Sequence, residues 1–224
     1  MEIRPVATIE TPFREKFGIP RQSGLAGAPG RIVFEPEFRM AAALRELEGF
    51  SHLWLLFDFS LAHRAEWSPT VRPPRLGGNR RVGVFASRSP FRPNPIGLSS
   101  VRLCGVEEDP EKGLVLLVEG VDLLDGTPIF DIKPYLPFTD SHPNARGGYA
   151  EEQLGERLSV RDPQGLLNRL PERLRRLAEE CLRQDPRPSY QEDPEREYGM
   201  RLEDWNIRFF VRESCAEIIE ITQK

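Results

Sequence analysis

The stretch Gly113-Leu-Val-Leu-Leu-Val-Glu-Gly-Val121 is the most strand-like in the chain, filled with aliphatic side chains and too short for a buried helix. Downstream, Asp125-Gly126-Thr127-Pro128 is a turn signature leading into a second strand, Thr127–Ile132. Upstream, Ile96–Val106, Arg81–Ser87 (alternating in Val82, Val84 and Ala86), Ser51–Phe59, Arg31–Phe34 and Ile3–Ile9 read as further strands. Met40, Leu44 and Leu47 share one face of a helix predicted over Glu37–Leu47 and ended by Gly49. Strands separated by loops, with one early helix, predict a mainly β fold, an antiparallel sheet closing into a β-barrel over residues 1–148. The character then changes. Glu151–Arg157 is polar, Pro171–Gln184 is an amphipathic helix stopped by Pro186 and Pro188, and Glu197–Leu202, Trp205–Arg212 and Ala216–Ile221 are short strands, giving a small α+β unit over residues 149–224.

With 224 residues, 39% hydrophobic and 29% charged, the chain can bury a core. No apolar run approaches the roughly 20 residues of a membrane span, and Met1–Thr11 lacks a signal-peptide apolar region, so no membrane association is expected and the protein is read as cytoplasmic. Cys104, Cys181 and Cys215 are far apart, without disulfide or zinc spacing, and are read as small buried hydrophobes. His52, His63 and His142 form no HExxH, and no GxSxG elbow occurs; no metal site is expected. Gly24, Gly27 and Gly30 do not sit in a strand-turn-helix unit, so the dinucleotide fingerprint fails and the fold is not a Rossmann sheet.

A net charge of −4 argues against a generic nucleic-acid binder, but its distribution does not. Between Trp67 and Ser100 there is no Asp or Glu, while Arg72, Arg75, Arg80, Arg81, Arg88 and Arg92 lie there. This is a basic segment on an otherwise acidic protein, suited to phosphates, or else a solvated loop. Within it, Ser87-Arg88-Ser89-Pro90-Phe91-Arg92-Pro93-Asn94-Pro95-Ile96-Gly97-Leu98-Ser99 is braced by prolines that leave little entropy to lose on binding. Phe91 offers a stacking face for adenine and Arg92 a fork for a carboxylate or phosphate. Along Phe130–Tyr135, period-two alternation puts Asp131, Lys133 and Tyr135 on one side: a proton-handling or substrate-orienting set, or a structural ion pair.

Taken with Phe17-Gly18-Ile19-Pro20-Arg21-Gln22, Ser51-His52-Leu53-Trp54, Pro69–Asn79 and Gln184-Asp185-Pro186-Arg187-Pro188-Ser189-Tyr190, these motifs resemble the TsaA-like family of tRNA adenine methyltransferases across almost the whole chain. The resemblance implies methyl transfer from S-adenosyl-L-methionine to the exocyclic amino nitrogen of threonylcarbamoyladenosine at anticodon-loop position 37. It also implies a single-sheet barrel and a homodimer with cofactor sites near the subunit interface. Carried over by motif, cofactor contacts fall on Arg21, Gln22, Ser23, Ser60, Leu61, Arg92, Leu103, Leu123, Leu124, Asp125 and Gly126. Catalytic roles go to Asp131, Lys133 and Tyr135, and tRNA contacts to Arg72, Arg75, Arg80, Arg88, Arg187 and Tyr190. The chemistry fits the composition, since methyl transfer needs neither metal nor covalent nucleophile and asks for positioning. A non-catalytic RNA-binding or cofactor-sensing barrel would share this composition and differ in transferring nothing; a regulatory protein acting through protein contacts would leave the Arg88–Leu98 loop without a small-molecule partner.

Overall fold

The computed structural model describes residues 2–73, 76, 80–153, 157–188 and 193–224. Its strands are β1 Ala7–Glu10, β2 Pro29–Phe34, β3 His52–Asp58, β4 Thr70–Val71, β5 Val82–Gly83, β6 Ile96–Asp109, β7 Gly113–Glu119, β8 Thr127–Pro134, β9 Ser159–Arg161, β10 Tyr198–Leu202, β11 Trp205–Arg212 and β12 Cys215–Gln223. Among the described residues two α-helices join them, α1 Pro137–Asp140 and α2 Glu172–Arg183.

Six strands pair in the order β1-β2-β7-β6-β3-β8, and β8 returns to β1 through Ala7↔Ile129 and Ile9↔Thr127, so the sheet is a closed antiparallel ring. Alternation along β3 shows why it closes. Leu53, Leu55 and Phe57 point inward and are buried, whereas His52, Trp54, Leu56 and Asp58 point outward. The inward residues meet Val101, Leu116, Val118 and Ile129 from the other strands in one apolar interior. Gly97 is needed where β6 crosses this core, because a Cβ there would lie 2.2 Å from the Phe57 ring.

The second unit is a four-stranded sheet, β10-β11-β12-β9, covered by α2, which buries Leu174, Leu177, Ala178, Cys181 and Leu182. The chain leading out of β1 joins it to the ring. Phe17 stacks on Tyr198 with the rings 6.1 Å apart and nearly parallel. Phe13 bridges to Leu202, and the Glu203 amide donates to the Pro12 carbonyl at 2.7 Å. Gly18, at φ +92°, lies so close to Met200 that a Cβ would fall 2.4 Å from its side chain. Residues of both units belong to one continuous buried cluster.

The structure corrects several expectations. Glu37–Leu47 is not an α-helix but 3₁₀ turns at Pro36–Phe38, Ala41–Leu44 and Leu47–Gly49. Glu46 is left-handed at φ 66° and Arg39 is drawn aside to the Phe34 carbonyl at 2.9 Å, so although Leu44 and Leu47 pack against the core, Met40 is left exposed and the three do not form one buried helical face. The strand expected over Arg81–Ser87 is only β5, because its chain turns at Val84–Ala86. β9 pairs parallel to β12 and was not expected. Cys104 is exposed and Cys215 partly so; only Cys181 is buried, which pushes its thiol pKa up to about 12. No helix among the described residues is long and apolar enough to cross a membrane.

Gly97→Ala should destabilise the protein by about 1–3 kcal/mol, the range for overpacking a filled core. Urea unfolding with an unchanged slope and a lower midpoint is the expected result; an unchanged midpoint would mean Phe57 moves aside at no cost.

Candidate functional site

At one end of the ring the first loop, the proline-braced loop and the chain after β7 converge. Arg88 Nη1 donates to Gln22 Oε1. The Ser99 hydroxyl, on an inward position of β6, donates to Asp122 Oδ1 at 2.6 Å. Asp122 also accepts from its own amide and that of Ser23, and Arg88 lies within electrostatic reach. Gly24 is held against Gly120 by an N–H···O bond of 2.9 Å. Burial raises the Asp122 carboxyl above the ordinary carboxylate value, and the Ser99 hydroxyl, the two amides and Arg88 act against that rise. A partly buried carboxylate facing an arginine between rigid loops is an arrangement that can meet a zwitterionic ligand. Sequence reading missed Asp122, whose only sequence signal was an acid immediately after an apolar strand.

The residues expected to hold the cofactor divide. Gln22 and Ser23 lie in this cluster, and Arg88, expected to meet RNA, joins them. Arg21 turns to the second unit, where Nη2 donates to the Arg187 carbonyl at 2.6 Å. Arg92 folds back on its own loop, with Nη1 on the Ser87 carbonyl at 3.1 Å. Ser60 and Leu61 are exposed in the turn after β3; the Leu61 carbonyl accepts from Lys16 Nζ at 3.4 Å. Leu103 is half-buried, packed on the core with its amide on Ser51.

Leu123–Gly126 is committed to closing the ring. Leu123 is buried and its carbonyl accepts from Thr11 Oγ1; the Leu124 carbonyl accepts from Thr127 Oγ1 at 2.6 Å. Asp125 accepts from the Thr11 amide at 2.9 Å and from Arg14, and Gly126 (φ +75°) donates to the Ile9 carbonyl. Phe91 does not offer a free face on both sides, since the Arg64 guanidinium lies 3.7 Å from its ring centre.

Asp131 and Lys133 come together on the outer face of the ring, and Tyr135 lies just beyond β8, packed against aromatic neighbours. Lys133 Nζ pairs with Asp131 Oδ2 at 2.7 Å, and Tyr135 packs 5.5 Å from Trp54. The indole N–H of Trp54 donates to Asp140 at 2.8 Å, and Asp140 is held below the usual carboxylate range by the Leu136 amide and that indole. Strand register sets the row Leu98–Leu56–Asp131 across this face. Leu98 and Ile96 are exposed beside it, so the face runs from an apolar edge to an ion pair and then to an aromatic cluster.

Arg72 and Arg80 are exposed on the arm containing β4 and β5. Arg187 is largely covered and occupied by Asp185, which accepts from its Nε at 2.8 Å and its Nη2 at 2.9 Å, so it serves the fold of its loop. Arg75 and Tyr190 lie outside the described residues. A cavity of about 220 Å³ separates the first loop from the 184–188 loop; Arg21 borders it and neither Arg88 nor Asp122 does.

A family model described as tRNA-methyltransferase O N-terminal domain matches residues 8–141, and one described as TrmO C-terminal domain matches residues 159–224. The chain belongs to the TrmO family. The tRNA (adenine(37)-N6)-methyltransferase of Escherichia coli is 42% identical over 98% of this chain and 97% of its own. A Pyrococcus abyssi protein, named a probable S-adenosyl-L-methionine-binding protein, is 41% identical over 71% of this chain and 81% of its own. A solved structure of TrmO from Pseudomonas aeruginosa matches with TM-score 0.79 at 37% identity, covering 99% of this chain and 98% of that one. The resemblance carried by the motifs therefore holds at the level of the family, and the TrmO match spans both the ring and the second sheet.

The raised Asp122 carboxyl has a testable sign. A folded-state value above the unfolded one gives stability that is present below the unfolded value and lost as pH rises through the folded one. Asp122→Asn should therefore gain stability relative to the wild type as pH rises from below the ordinary carboxylate range to neutrality. Denaturant titrations across that window check it; a gap that does not change with pH would show that burial does not oppose the charge.

Proposed function

We propose that this protein is an S-adenosyl-L-methionine-dependent tRNA methyltransferase acting on the exocyclic nitrogen of adenine 37, with threonylcarbamoyladenosine as the target form. Near-full-length similarity to the Escherichia coli enzyme, covering both units, is the observation that carries the activity. S-adenosyl-L-methionine supplies an electrophilic methyl group on a sulfonium, and this chain's residues hold and orient. In this reading Arg88, set by Gln22, receives the cofactor carboxylate, and Asp122 faces its cationic part. The ring is the barrel expected from the strand pattern, and the exposed edge of Leu61, Ile96 and Leu98 is where a second copy completes a homodimer. The division near residues 148 and 149 separates this cofactor unit from the small α+β unit.

The target nitrogen is acylated, so its lone pair is delocalised and it attacks well only as its proton is removed. Asp131 is the proton acceptor in this account, with Tyr135 as the alternative, and Lys133 holds the threonyl carboxylate or the developing anion. Asp131 shares a row with Leu56 and Leu98 and Lys133 the next row with Trp54, which fits a target base laid on the outer face.

Calorimetric titration with S-adenosyl-L-methionine followed by mass analysis of tRNA nucleosides tests the reading. Arg88→Ala should weaken cofactor binding by about 1–3 kcal/mol, the loss expected for a charge-assisted hydrogen bond. Arg92→Ala, whose guanidinium is spent on its own loop, should weaken it less; the reverse order would move the cofactor carboxylate to Arg92.

Single-turnover methylation at saturating tRNA examines the ion pair. Asp131→Asn should slow transfer about 10²–10⁴-fold with cofactor binding retained. A wild-type rate in that variant would remove Asp131 from the chemistry.

A further inference from the structure

Between β3 and β6 the chain makes a long excursion whose tip is the β4–β5 hairpin. Two aromatic side chains there are left in solvent: Trp67 is 54% exposed and Phe85 75% exposed, although their rings lie 6.3 Å apart at 36°. The backbone beneath them is tied down. Val84 is buried and its amide donates to the Pro69 carbonyl at 2.9 Å; Val71 pairs with Val82, and Arg81 Nε bonds Thr70 Oγ1 at 2.8 Å. The turn that carries Phe85 is pinned from outside, where the Tyr149 hydroxyl donates to the Ala86 carbonyl at 2.9 Å. The rings thus share one side of a braced hairpin without contributing to the core.

What could cover them is restricted by charge. From Trp67 to Ser100 the sequence contains no carboxylate, and Arg72 and Arg81 are exposed on the same hairpin. Aromatic faces interleaved with cations, with Glu66 as the neighbouring acid before Trp67, suit a polyanion that carries flat apolar groups. We infer that Trp67 and Phe85 form a stacking platform for an unpaired nucleobase of an RNA loop, with the hairpin arginines on the flanking phosphates. This rests on the tRNA reading above and adds residues that neither the motifs nor the outer-face site include.

The test uses the full-length protein and a synthetic anticodon stem-loop, with binding followed by tryptophan fluorescence and by competition. Quenching should be seen in the wild type and be smaller in Trp67→Phe, where only Trp54 and Trp205 remain to report; that variant keeps the stacking face and so should keep affinity near wild type. Trp67→Ala and Phe85→Ala should each raise Kd about tenfold or more. Their log–log salt dependence should keep the wild-type slope, because no phosphate contact is removed. S-adenosyl-L-methionine binding by these variants should equal that of the wild type, which shows that they fold. Wild-type RNA affinity in the Trp67→Ala, Phe85→Ala double variant would overturn the platform while leaving the tRNA reading intact. Absence of RNA binding by the wild type would overturn both, and a change of oligomeric state in sedimentation, with RNA affinity unchanged, would assign the two rings to a second copy of the chain.

Discussion

Pairing of β8 with β1 closes the ring, and the chain between β7 and β8 must then turn sharply at one fixed place. Asp125 fixes that place through the Thr11 amide and Arg14, with Gly126 supplying the left-handed backbone. Closure in turn sets Asp122 opposite Ser99, and the Gly24 amide on the Gly120 carbonyl anchors the first loop beside it. Gln22 follows from that loop and positions Arg88. The candidate site is therefore a consequence of how the sheet closes, which explains why residues from distant parts of the sequence meet there.

The second unit is bound to the same construction. The segment after β1 is shared: its Phe13 and Phe17 pack on the second sheet, and Arg21 donates to the 184–188 loop. The motif at Gln184–Pro188 stands out in sequence because Asp185 and Arg187 lock each other and leave the Arg187 carbonyl for Arg21. Its conspicuous residues thus serve the joint between units.

Much of the fold was legible because burial writes itself into apolar runs and apolar faces. β6 was readable from alternation, β3 and β7 from apolar runs too short for a buried helix, and α2 from Leu174, Leu177, Cys181 and Leu182 on one face. Glu37–Leu47 misled because its spacing suits a helix while nothing covers Met40, and tertiary contact decides such segments. β9 is three residues long and takes its partner from the far end of the chain, so no local signal announces it. In the site, the loops that touch were visible as motifs, but which arginine points where was not. Arg88 and Arg92 are equivalent in the sequence, and only the Gln22 and Ser87 partners separate them.

Amide hydrogen exchange with and without S-adenosyl-L-methionine tests the central claim, that the cofactor sits where the first loop, the proline-braced loop and the chain after β7 converge. Protection should rise in residues 21–25, 87–99 and 119–123, while β10–β12 stay unchanged. Protection confined to the cavity between the first loop and residues 184–188, with the Arg88 loop exchanging as before, would contradict it.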